Sequence, residues 1–106
     1  MSFVRACAAA DVASGTSLAV EVDGVDVAIV NTEGEFFAIR DECSHAAIAL
    51  SEGDVDGCEI ECWLHGSTFD LRTGKPLCLP ATEPVAVYPV NLEGADVLVD
   101  VQNPVN

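Results

Sequence analysis

Positive charge is scarce in this 106-residue chain: four Lys and Arg stand against 18 Asp and Glu, a formal charge of −14 at pH 7. That balance excludes non-specific nucleic-acid binding, which needs clustered cations to neutralise phosphates, and it disfavours anionic membrane surfaces. Long apolar runs are missing as well. The opening stretch MSFVRACAAADV is interrupted by Asp11 and fits neither a secretion signal nor a membrane span. LPATE at residues 79–83 lacks the final Gly and the hydrophobic tail of a sortase signal. The expected location is therefore the cytoplasm, where thiols stay reduced. Five cysteines are an odd number, so no complete disulfide framework is expected and the thiols read as metal ligands or core residues. Apolar content is not lacking: half of the residues are hydrophobic, which excludes disorder. At this length they make one domain, residues 1–106.

Helical periodicity is also absent. No 11-residue window carries a 3.6-residue apolar repeat, apart from one short turn near residues 8–13. Alternation takes its place. Leu18, Val20 and Val22 alternate with Ala19 and Glu21, Asp23-Gly24 intervenes, and Val25, Val27 and Ile29 resume the pattern. Two alternating runs joined by Asp-Gly predict a hairpin with a type I′ turn. Glu33-Gly34 leads into a further strand, Glu35–Arg40. After Asp56-Gly57, Cys58, Ile60 and Cys62 share one face and Glu59 and Glu61 the other, which predicts burial of Cys58. Short runs at 67–70, 85–90 and 97–101 follow, punctuated by Thr73-Gly74 and Gly94, while Pro76, Pro80, Pro84 and Pro89 exclude a helix there. Many short strands with closely spaced turns predict an all-β sandwich or barrel. Residues 41–50, DECSHAAIAL, break the alternation and read as a loop that carries something.

Only two histidines occur, and each follows a cysteine at short range: Cys43-Ser44-His45 and Cys62-Trp63-Leu64-His65, with 16 residues between His45 and Cys62. A zinc finger groups Cys with Cys and His with His, so this pattern is a poor match to one. Two mixed pairs on two loops suit a binuclear centre in which one iron takes two thiolates and the other two imidazoles, as in Rieske ligation. CSH…CWLHGSTFD resembles the two cluster-binding loops of Rieske proteins. The whole chain, including DLRTGK and the Pro-containing segment after it, is similar to the small Rieske-type ferredoxins of bacterial aromatic-ring dioxygenase systems.

The resemblance implies an all-β Rieske fold: an antiparallel sandwich or barrel base with a smaller cluster-binding unit at about residues 41–73. It implies one [2Fe-2S] cluster, with Cys43 and Cys62 on the inner iron and His45 and His65 on the outer, more exposed iron. Two ferric ions, two sulfides and two thiolates sum to zero charge, so such a centre accepts an electron more readily than an all-cysteine one. The potentials span roughly −150 to +300 mV, against about −400 mV for plant-type ferredoxins. High-potential relatives clamp their loops with a disulfide. Ile48 and Leu64 stand at those positions here, so no clamp is expected. Ser67 keeps a hydroxyl that those relatives aim at the cluster, and Phe69 replaces a tyrosine. Fewer donors to the reduced, more negative state place the potential in the lower half of the range. Trp63 and Leu64 are expected to shield the cluster, and Pro80 to close its third side.

The resemblance further implies an electron carrier and not an enzyme, between a flavin-dependent ferredoxin reductase and a terminal oxygenase, monomeric when free. No histidine is left over for the mononuclear iron of a catalytic oxygenase subunit. Similar ligand sets occur in the small Rieske-like subunit of NADH-dependent nitrite reductase and in housekeeping Rieske proteins of cluster assembly or redox sensing, which stand as alternatives. A structural zinc module is the non-redox rival. Asp41, Glu42, Glu52, Asp54, Asp56, Glu59 and Glu61 occur without a Lys or Arg among them. They form either a solvated face or a field that steers transient, basic partners.

Overall fold

The computed structural model describes residues 3–42, 48–63, 66–77 and 83–105. The ten strands among them are β1 (Val4–Ala8), β2 (Thr16–Val22), β3 (Val25–Thr32), β4 (Glu35–Arg40), β5 (Val55–Asp56), β6 (Glu59–Glu61), β7 (Thr68–Asp70), β8 (Val87–Tyr88), β9 (Val90–Glu93) and β10 (Asp96–Val99). Two 3₁₀ turns, Ala9–Asp11 and Leu50–Glu52, are the only helical pieces among the described residues. The strands form three antiparallel sheets, ordered β1-β10-β9, β2-β3-β4-β8 and β5-β6-β7.

The hairpin expected at Asp23-Gly24 is present, with φ of 50° and 79° at the two turn residues, the consecutive left-handed pair that a type I′ turn requires. Glu33-Gly34 repeats the device between β3 and β4. Two stretches depart from expectation. β1 lies in the opening stretch, where no strand is expected; a bulge between Arg5 and Cys7 shifts its register against β10, so no clean period of two is visible in its sequence. The run 85–90 is split at Pro89. β8 pairs with β4 and β9 with β10, because Pro89 has no N–H to continue either ladder and the chain changes sheet there.

β3 holds the molecule together. Its residues 27–30 are buried on both faces, and the pleat sends alternate side chains to opposite cores. Val27 and Ile29 join Val22, Ala38, Val97, Val99, Tyr88 and Cys7 in a core against the β1-β10-β9 sheet. Ala28 and Val30 join Phe37, Ile39, Leu50, Ile60, Cys62, Phe69, Leu71, Val85 and Val87 in a second core against the β5-β6-β7 sheet. The first two sheets thus make the sandwich base expected from the sequence, and the third sheet rests on its open face.

Candidate metal centre

Cys62 is placed by strand parity. Ile60 and Cys62 point into the second core and are fully buried, while Glu59 on the same strand is exposed. The β6–β7 pairing, with Glu61 opposite Thr68, is extended by the Cys62 N–H donating to the Ser67 carbonyl at 2.6 Å. The Gly66 N–H donates to the Cys62 carbonyl at 2.9 Å, which closes the loop over residues 63–66. Cys62 is a free thiol at the root of this loop. Ser67 and Phe69 share its inward side of β7 and are fully buried. Trp63, at the loop, is 51% exposed, and Leu77, whose N–H donates to the Thr68 carbonyl at 2.7 Å, is 49% exposed. Both are large apolar side chains left half-exposed.

The other arm leaves β4 at Arg40, whose N–H donates to the Ala86 carbonyl at 3.0 Å. Asp41 follows, its N–H on the Asp26 carbonyl at 2.9 Å. Its carboxylate accepts from both the N–H and the hydroxyl of Ser51, each at 2.7 Å. This clamp joins a residue two positions before the expected C-x-H pair to one six positions after it. Ile48 packs against the second core and Leu50 is fully buried in it, so the arm is anchored in the same core as Cys62. Cys43, His45, Leu64, His65, Cys78 and Pro80 lie outside the described residues, as do the proposed contacts of each. Among the described residues, no cluster of Cys, His, Asp and Glu is arranged to hold a metal ion.

Two expectations need adjustment. Cys58 is half-buried, because it sits in the β5–β6 turn and not within a strand; its Sγ donates to Glu33 Oε2 at 3.7 Å. Burial pushes this thiol up, with Arg72 opposing and Glu33 adding to the effect. The seven carboxylates do not act alike either. Asp41 is engaged with Ser51, and Glu42 pairs with Arg40 at 3.5 Å. Asp54, Asp56, Glu59 and Glu61 instead converge with Thr68 on a shallow depression on the outer face of the small sheet. The Asp41 clamp was not foreseen, because nothing in the residues around Asp41 marks Ser51, ten positions on, as its partner.

The family description for the Rieske [2Fe-2S] domain matches residues 2–89. The chain belongs to the Rieske [2Fe-2S] family. It is 46% identical over 101 residues to the 3-phenylpropionate/cinnamic acid dioxygenase ferredoxin subunit of Shigella flexneri serotype 5b (strain 8401), covering 94% of both chains. It superposes on the ferredoxin of carbazole 1,9a-dioxygenase from Nocardioides aromaticivorans IC177 with a TM-score of 0.88 and 38% identity, covering 93% of this chain and 97% of that one. A third relative is the chain matched in a complex of reduced oxygenase and oxidized ferredoxin in carbazole 1,9a-dioxygenase: TM-score 0.85, 37% identity, 92% and 91% covered.

As a Rieske domain matched along nearly its whole length by ferredoxins, the chain carries one [2Fe-2S] cluster and is an electron-transfer component, not itself a catalytic enzyme. The described residues fit such a group. A fully buried, undisulfided thiol stands at the root of a short loop, with a buried hydroxyl in register beside it. A soft sulfur donor shielded from water is what iron–sulfur ligation asks for. No helix among the described residues is long and apolar enough to cross a membrane.

Proposed function

We propose that this Rieske ferredoxin passes single electrons from a flavin-dependent ferredoxin reductase to a terminal oxygenase that attacks aromatic rings. The observation that carries this reading is the 46% identity, over almost the full length of both chains, to a dioxygenase ferredoxin subunit. The oxygenase–ferredoxin complex of the carbazole system supports the oxygenase as acceptor. Cys43 and Cys62 would hold one iron and His45 and His65 the other, on a cluster-binding unit of about residues 41–73. The β5-β6-β7 sheet lies within that unit and presents Cys62 from the core, which supports the assignment. The bound cluster supplies a one-electron redox couple.

The chain's own residues do the rest. Phe69, Ile60 and Leu71 exclude water behind Cys62. The Ser67 hydroxyl is held inside, where a donor favours the more negative reduced state. Phe69 brings no hydroxyl, which supports a potential in the lower half of the Rieske range. Trp63 would cover the loop from outside, with Leu64 and Pro80 completing the shield. The carboxylates of Asp54, Asp56, Glu59 and Glu61 make a local negative field with no cation among the residues lining it, and this favours fast, transient encounter with basic partners. Cys7 and Cys58, the described thiols outside the ligand set, are not in disulfides, which suits a cytoplasmic protein; we take the chain to be monomeric between encounters.

The deciding experiment is EPR of the dithionite-reduced protein with iron and acid-labile sulfide analysis, followed by reductase-driven reduction and oxygenase turnover at rising salt. A Rieske signal, with a lower average g than a four-cysteine cluster, and a transfer rate that falls steeply with salt are expected. Zinc without sulfide overturns the cluster assignment. A flat salt dependence overturns the steering role of the acidic face.

A further inference from the structure

Two independent observations meet on residues 50–54. Gly53 lies against the backbone of Glu61, the residue that precedes Cys62. A Cβ at Gly53 would stand 2.8 Å from the Glu61 carbonyl carbon and 3.3 Å from the Leu50 carbonyl oxygen, and it would run into the Glu61 carbonyl oxygen itself. The φ of Gly53 is −87°, an ordinary value, so close approach and not backbone conformation demands glycine here. The hydrogen that a side chain would replace points at that carbonyl, as in the Cα–H···O contacts between adjacent strands. The next residue continues the contact: the Asp54 carbonyl accepts from the Glu61 N–H at 2.9 Å.

Ser51, two residues earlier, is held from two directions. The Asp41 carboxylate takes its N–H and hydroxyl at 2.7 Å each, and its carbonyl accepts from the Ser17 hydroxyl of β2 at 2.8 Å. The segment 50–54 is thus pinned to the ends of β4 and β2 on one side and laid flush on β6 on the other. Leu50, buried in the second core, fills the space beneath it.

We propose that Gly53 and the Asp41 clamp on Ser51 are the positioning device of the metal centre. They fix the distance between the arm that carries Cys43 and His45 and the hairpin that carries Cys62 and His65. The inference rests on the ligand assignment proposed above. One cluster shared by two arms needs their separation held to about 0.5 Å. Ile48, packed against the same core, carries no thiol, so no disulfide at that position can hold that separation. The spacing is set instead by backbone-on-backbone contact at Gly53, and an alanine there cannot be placed without displacing backbone at Gly53 or at Glu61.

The test uses the intact chain loaded with iron and sulfide. Gly53→Ala, Ser51→Ala and, as control, Gly94→Ala are compared with the wild type; Gly94 has a φ of +62° and open space around it, in the turn between β9 and β10. The readouts are the g values of the reduced protein, the midpoint potential, iron release to a chelator and thermal unfolding. Gly53→Ala is expected to release iron about 10–100-fold faster and to shift both g values and potential, with Ser51→Ala moving them the same way by less. Gly94→Ala is expected to lower the unfolding temperature and leave the g values, the potential and the iron-release rate at wild-type levels. Wild-type g values, potential and iron release in Gly53→Ala overturn the inference, as does an equal spectroscopic shift in Gly94→Ala. If Gly53→Ala does not fold, Ser51→Ala decides, and an unaltered signal there overturns it. A wild type without a mixed Cys/His signal overturns the ligand assignment, a failure distinct from that of the spacer.

Discussion

The two cores on either side of β3 are built differently. The one against the β1-β10-β9 sheet is a plain interdigitation of Val22, Val27, Ile29, Val97 and Val99, with Cys7 as a small hydrophobe whose thiol is pushed up by burial. The one against the β5-β6-β7 sheet contains Cys62 and is crossed by directional ties. The Thr32 hydroxyl donates to the Gly57 carbonyl at 2.7 Å, Ser17 and Asp41 hold Ser51, and Arg72 lies 5.7 Å over the Phe37 ring while reaching Glu35 at 3.6 Å. Non-directional burial holds sheets together but tolerates small slides, whereas hydrogen bonds and a side-chain-free contact fix a distance. The base needs only to be stable. The small sheet needs to be stable and in place.

That contrast breaks most sharply at Cys62. Cys62→Ala should abolish iron and sulfide binding while far-UV circular dichroism keeps the β signature, since the base core does not contain this residue. The next test compares the cores directly. Leu50→Ala and Ile29→Ala each empty a fully buried site and should each cost about 2–5 kcal/mol in denaturant unfolding. Only Leu50→Ala should hasten loss of the visible absorbance of the loaded protein; equal bleaching by both would erase the distinction between the cores.

A smaller effect sharpens the account of the inner shell. Ser67→Ala should lower the midpoint potential and Phe69→Tyr should raise it, each on the order of 50–100 mV, the equivalent of one charge-assisted hydrogen bond of about 1–2 kcal/mol. Protein-film voltammetry reads both, and no movement in either removes hydrogen bonding as the tuning device. The smallest effect belongs to the far sheet. Arg5 and Asp96 pair at 3.0 Å with 58% and 45% of their side chains exposed, so Arg5→Gln should leave unfolding and potential unchanged within error.

Much of this was legible in the residues. Asp23-Gly24 and Glu33-Gly34 announced two turns because left-handed pairs restrict the residues that fit them, and Ile60 and Cys62 announced a buried face because a strand alternates. Parity failed where the chain leaves the ladder. Cys58 falls in a turn, the bulge at Arg5 and Cys7 hides β1, and Pro89 turns one apolar run into two strands of different sheets. The carboxylates between 41 and 61 looked uniform as letters, yet Asp41 is engaged by Ser51 and Glu42 by Arg40 while four others face outward together.

Local pattern alone determined β2 to β4 and their turns, the buried face of Ile60 and Cys62, the mixed thiol–imidazole pairs and the family they point to, since each depends on neighbours a few residues away. The pairing of sheets across β3, the use of Asp41 as a clamp and the need for glycine at position 53 were decided only by tertiary structure. Each depends on which backbone, eight or more residues away along the chain, comes to lie within contact distance, and that distance is the sum of all the packing between.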